Sequence, residues 1–146
     1  MKLHFYKRNK GIVPKLLRYY GGGEFNHVSI ECNGWVYEAI GGKIFATNGV
    51  VVSPNKLTQH QGKYAPDKLV TLTIKSPLDN DLEKWLKEQV GRKYAYKDLL
   101  GFVFRWVKGK ESQYYCSELA VKAYEIATRQ TYELKYSPSA LYELAK

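Results

Sequence analysis

A thiol becomes a strong nucleophile once ionised, and this chain carries two, Cys32 and Cys116. Cys116 stands where the polar loop Gln113-Tyr114-Tyr115 meets Leu119, Ala120, Ala123, Tyr124 and Ala127, which recur at helical spacing. Ser117-Glu118 suits a helix N-terminus, so Cys116 opens a helix predicted to run to Arg129. The partial positive charge there stabilises a thiolate, and the first N–H groups can donate to a developing oxyanion. A cysteine elsewhere in a helix is usually a small core hydrophobe; the position of this one favours chemistry. Cys32 lies at a turn with no helix behind it and reads as structural.

A nucleophilic thiol needs a base, and the imidazoles are His4, His27 and His60. His60 lies in Thr58-Gln59-His60-Gln61-Gly62, a solvated loop by composition, and His4 falls on a first strand as a packed or edge residue. His27 opens a strand after a glycine-rich loop, where a side chain can project into a cleft from a rigid sheet. Asn33-Gly34 is a strong hairpin signal, and a two-residue turn there pairs Cys32 with Trp35, Ile30 with Tyr37 and Ser29 with Glu38. Glu38 then shares a face with His27 as its diagonal neighbour, with backbones roughly 7–8 Å apart. A carboxylate there can hold one ring nitrogen and leave the other for the thiol. Glu31 points to the same face and is the reserve orienting group if the register differs.

The elements that must position these residues follow from their periodicity. Leu3 to Tyr6 reads as a strand, and Ile12 to Tyr20 as a helix with Pro14 in its first turn, stopped by Gly21-Gly22-Gly23. His27 to Glu31 and Trp35 to Ile40 form the hairpin, and further strands are predicted at Lys43 to Ala46, Val50 to Ser53 and Leu69 to Lys75. Leu82, Trp85, Leu86 and Val90 then predict a helix from an Asp79-Asn80-Asp81 cap region to Gly91. A further helix is expected over Tyr96 to Val107, and Ser137-Pro138 opens a short last one with Leu141 and Leu144 inward. Strands followed by helices predict an α+β class, an antiparallel sheet packed against helices.

A length of 146 residues fits one domain, 1–146, built on one core. Two cysteines in dissimilar contexts exclude a dense disulfide framework and suit a reducing compartment. No apolar run approaches the ~20 residues of a membrane span, and nothing after Met1 reads as an export leader, so a cytoplasmic location is expected. Lys and Arg exceed Asp and Glu, giving a net charge of +9 that favours anionic polymers or an acidic membrane surface. The basic residues are scattered through Lys7-Arg8, Arg92-Lys93 and Lys108–Lys110 without a nucleic-acid motif, so no specific nucleic-acid partner is expected. The 13 Tyr, 5 Phe and 3 Trp suit a core and equally a groove for peptides, sugars or lipids.

Three segments taken in order, Asn26-His27-Val28-Ser29-Ile30-Glu31, Val36-Tyr37-Glu38-Ala39 and Tyr115-Cys116-Ser117-Glu118-Leu119, resemble the permuted branch of the NlpC-type, papain-like cysteine peptidase superfamily. These are the YiiX-like proteins, related to lecithin retinol acyltransferases. The helix before Gly21, the Gly91-Arg92-Lys93-Tyr94 turn and Ser137-Pro138 extend the likeness over nearly the whole chain. In most papain-like enzymes the nucleophile helix precedes the histidine strand; the reversed order here marks a circular permutation. The resemblance implies a permuted papain-like fold with Cys116 as nucleophile, His27 as general base and Glu38 as third member, and it calls for no cofactor or metal. Many relatives carry a Gly-Asp segment near the first strand, where this chain has His4-Phe5-Tyr6. The oxyanion donors it leaves are the Cys116 backbone N–H and, second, Tyr6. The implied substrate is peptide-like or acyl-bearing, with hydrolysis of bacterial cell-wall peptide amides in a phage or bacterial setting as the first expectation. The alternatives are a lipid-directed acyltransferase or phospholipase, and a binding module that keeps the fold without the chemistry.

Overall fold

The computed structural model describes residues 1–7, 15, 19, 23–40, 49–54, 68–92, 115–132 and 136–146. Its strands are β1 (Lys2–Lys7), β2 (His27–Cys32), β3 (Trp35–Ile40), β4 (Gly49–Pro54) and β5 (Lys68–Thr73). They form an antiparallel sheet in the order β4-β3-β2-β1-β5. The helices among the described residues are α1 (Asp79–Gln89), α2 (Cys116–Thr128) and α3 (Pro138–Ala145). This is the α+β arrangement the residue pattern predicts. The expected strand at 43–46, the helix at 96–107 and His60 lie outside the described residues. Of the predicted helix at 12–20 only Lys15 and Tyr19 are described, both helical and exposed.

The β2–β3 turn follows the Asn-Gly rule: Asn33 and Gly34 both adopt positive φ, 49° and 79°. The register is the expected one, with Cys32 opposite Trp35 and Ile30 opposite Tyr37. The period of two then sorts the sheet into two faces. Leu3, Phe5, Val28, Ile30, Cys32, Tyr37 and Ala39 cluster with Leu82 and Leu86 of α1, with Leu119, Ala120, Ala123 and Ala127 of α2, and with Leu141 of α3. α2 buries most of its surface, leaving Glu118, Lys122 and Glu125 as a partly exposed polar stripe. It packs against β2, β3, α1 and α3, and its alanines let it approach the sheet closely.

Two helix ends differ from expectation. Asp79 and Asp81 stand inside the first turn of α1, where their charge complements the helix dipole, while Leu78 occupies the cap position without a side-chain bond. Its far end comes at Gln89, which is buried, so Val90 leaves the helix and is exposed instead of facing the core. The chain then turns through Gly91 at φ 86°. The caps of the other helices are as the residue types suggest. The Glu118 carboxylate accepts the Tyr115 N–H at 3.3 Å, and Ser137 Oγ accepts the Ala140 N–H at 3.2 Å behind Pro138.

The opposite face of the sheet is polar and, over β1 to β3, largely buried, whereas Leu69, Thr71 and Thr73 of β5 are exposed on it. His4, Ser29, Glu31 and Glu38 all fall in the buried class. Such groups are tolerated only when hydrogen-bonded, and cross-strand neighbours supply the partners. His4 Nδ1 lies 2.8 Å from Thr71 Oγ1 and its Nε2 3.0 Å from Glu31 Oε2, while Lys2 Nζ donates to Glu31 Oε1 at 2.8 Å. A neutral imidazole protonated on Nε2 fits both contacts, donating to the carboxylate and accepting from the threonine hydroxyl. Burial lowers the His4 pKa and outweighs the pull of Glu31. Burial pushes the Glu31 carboxyl up, yet the hydrogen bonds from Lys2 and His4 together hold it below the usual range. An unfolded imidazole titrates near ~6.5, so the stability tied to neutral His4 is complete above that pH and is lost as pH falls through the lower folded value. The Glu31 contribution is lost only below about 4.5. The thermal midpoint of the wild type should therefore fall between pH 7 and 5, and His4→Gln should flatten that slope in melts recorded across the range. An unchanged slope would show that His4 does not carry it.

Candidate active site

His27 is the first residue of β2, and Tyr6 lies opposite it on β1. The hairpin register carries Glu38 to the same face, and the two side chains meet: His27 Nε2 lies 3.1 Å from Glu38 Oε2. The expected diagonal pair is thus formed. Glu38 is almost completely buried at 2% exposure, whereas the His27 side chain keeps 13%. A buried carboxylate holding one ring nitrogen of a partly accessible imidazole fixes the ring plane. The other nitrogen, Nδ1, is then the one suited to exchange a proton with a nucleophile.

Tyr6 supports this pair in a way the residue pattern does not suggest. Its ring lies 5.4 Å from the imidazole at an interplanar angle of 41°, and its hydroxyl is 2.9 Å from Ser29 Oγ. The second oxyanion candidate thus places its hydroxyl against Ser29 and its ring beside His27. Glu31, the reserve orienting group, points to the expected face but is taken by His4 and Lys2 on β1. His4 matches the packed histidine expected of it, although its carboxylate partner was not foreseen. The parity of Lys2, His4 and Tyr6 along β1 was the available signal.

Cys116 is the first residue of α2, buried at 4% exposure, with Tyr115 as its N-cap. Its helix packs against β2 and β3, the strands that bear His27 and Glu38. The next residue, Ser117, has a fully buried hydroxyl without a hydrogen-bond partner among the described residues, an unusual polar group to leave next to a thiol in the chain. Cys32 contrasts with this environment. Its thiol donates to the Asp79 carbonyl at 3.4 Å, and burial, with Asp79 second, pushes its pKa up to about 11. A thiol raised in this way is little ionised at neutral pH. Among the described residues no cluster of His, Cys, Asp and Glu is suited to hold a metal ion, and no helix is long and apolar enough to cross a membrane.

No protein-family model, curated protein or solved structure matches this chain.

The His27–Glu38 contact should be measurable as stability. Hydrogen bonds to charged groups contribute ~1.5–3 kcal/mol, so Glu38→Gln should lower the urea-unfolding free energy by about that amount. A change under ~0.5 kcal/mol, the usual effect of a surface substitution, would mean that the pair is not an ionic hydrogen bond.

Proposed function

We propose that this chain is a cysteine hydrolase acting on peptide-like amide bonds, with Cys116 as nucleophile, His27 as base and Glu38 as the group that orients the imidazole. The observation that carries the reading is the buried carboxylate–imidazole pair at 3.1 Å, set on the strands against which the Cys116 helix packs. The residue order also supports a circularly permuted papain-like fold, as the motif resemblance implies.

In the proposed reaction His27 removes the Cys116 proton, and Sγ attacks the amide carbonyl carbon. The tetrahedral oxyanion is met by backbone N–H groups at the start of α2. Collapse breaks the C–N bond, the amine leaves with the proton held by His27, and a thioester remains on Cys116. Water, deprotonated by His27, attacks the thioester; the acid departs and the thiol is restored. Strand alternation turns His27 toward the polar face, while α2 covers the apolar one. Cys116 belongs to the apolar cluster, so the reaction requires thiol and imidazole to meet around the edge of the sheet at the start of β2.

Alkylation by iodoacetamide, read site by site by mass spectrometry, tests the pair directly. A thiol with pKa near ~8.5 is only about 1% ionised at pH 6.5. An activated Cys116 should then react at least ~10-fold faster than a free cysteine, His27→Ala should abolish the excess, and Cys32 should stay unlabelled. Cell-wall peptide and phospholipid substrates offered in parallel distinguish amide hydrolysis from lipid acyl transfer. Cys116 reacting no faster than free cysteine in wild type and variant alike would overturn the hydrolase reading.

A further inference from the structure

The backbone just before His27 is held by the far end of the chain. Ser139, in the first turn of α3, accepts the Phe25 N–H on Oγ at 2.8 Å and donates to the Phe25 carbonyl at 3.2 Å. One hydroxyl thus satisfies both polar groups of a buried residue two positions before the candidate base. The contact is tight from the loop side as well: a Cβ on Gly23 would collide with the Cβ and Oγ of Ser139. The Phe25 ring is packed between α3 and the sheet, 4.8 Å from the ring of Tyr142 and 5.7 Å from that of Phe5. The next residue, Asn26, gives its N–H to the Tyr6 carbonyl at 3.0 Å, and His27 then begins the β1–β2 ladder.

We infer that Ser139 is a positioning residue for His27, a clamp through which α3 sets the entry of β2 and hence the approach of the imidazole to Glu38. The inference rests on reading His27 as the base. Its physical basis is that His27 is the first residue of its strand, preceded by one further backbone bond from Asn26 to the Tyr6 carbonyl, so the course of residues 23–25 sets the direction of entry. Phe25 has both its polar groups engaged by Ser139, so release of that hydroxyl leaves its backbone held only by the packing of its ring and by the Asn26–Tyr6 bond that follows. Gly23 is the complementary half of the device, since a side chain there cannot coexist with Ser139 in its present place.

Imidazole titration followed by NMR in wild type, Ser139→Ala, Gly23→Ala and Glu38→Gln tests this without depending on Cys116. The His27 midpoint in Ser139→Ala should move at least ~0.3 pH unit toward the Glu38→Gln value, while His4, held by Thr71 and Glu31, should not move. Gly23→Ala pushes the same contact apart from the other side and should shift His27 in the same sense. In the wild type the Phe25 amide should exchange at least ~100-fold more slowly than an unprotected amide, a measurement that needs no variant to fold. An unprotected Phe25 amide, or a His27 midpoint unmoved in both clamp variants while stability falls, would overturn the inference. Slow alkylation of Cys116 alongside a His27 that responds to the clamp would sink the hydrolase reading and leave the positioning role standing.

Discussion

A two-residue turn leaves little freedom to the strands it joins. Asn33 and Gly34 both take positive φ, and that fixes Cys32 opposite Trp35. Because side chains alternate with a period of two, every later pairing follows: Ile30 faces Tyr37 in the apolar layer, and the histidine and glutamate fall together on the polar one. A slip of one residue would turn Glu38 into the helices and Tyr37 away from them, exchanging a buried charge for a buried ring on each side. Both faces are buried, so neither could absorb the change.

Burying a polar face is costly, and the sheet meets the cost by pairing across strands. Lys2, Glu31, His4 and Thr71 form one hydrogen-bonded row over β2, β1 and β5; Tyr6 with Ser29, and His27 with Glu38, form the neighbouring contacts. The two histidines lie on this face in different settings. His4 is sealed at 1% exposure with its pKa lowered by burial, whereas His27 keeps an accessible edge at the start of its strand. The same residue type is thereby sealed in one place and partly accessible in the other. The two cysteines divide in the same manner, Cys32 held as a thiol by burial and Cys116 placed at the positive end of a helix.

The candidate site depends on long sequence separations. The carboxylate that holds His27 is eleven residues away, but the hydroxyl that holds its approach is 114 residues from Phe25. Closing so large a loop is entropically unfavourable, so the contact requires the surrounding packing. Phe5, Phe25 and Tyr142 supply part of it, and α2 packs against α3 as well as against β2 and β3.

Local chemistry made much of this legible in the residues alone. The Asn-Gly turn, the parity of His27 and Glu38, the helix opening at Cys116 and the Ser137-Pro138 cap are all short-range patterns whose physics is complete within a dozen residues. The features that periodicity leaves open needed partners from elsewhere. Glu31 and Glu38 are equivalent by parity, and only the docking of β1, with Lys2 and His4 opposite, assigns one to the network and leaves the other to His27. Val90 fits the helical period, but the chain leaves the helix at Gln89 and turns through Gly91. Ser139 carries no signal at all, because a hydroxyl that satisfies a distant backbone looks in sequence like any other serine. Periodicity determined which side chains share a face; which of them meet was decided by the order of strands and the seating of helices, since a hydrogen bond needs a position in space that no local pattern encodes.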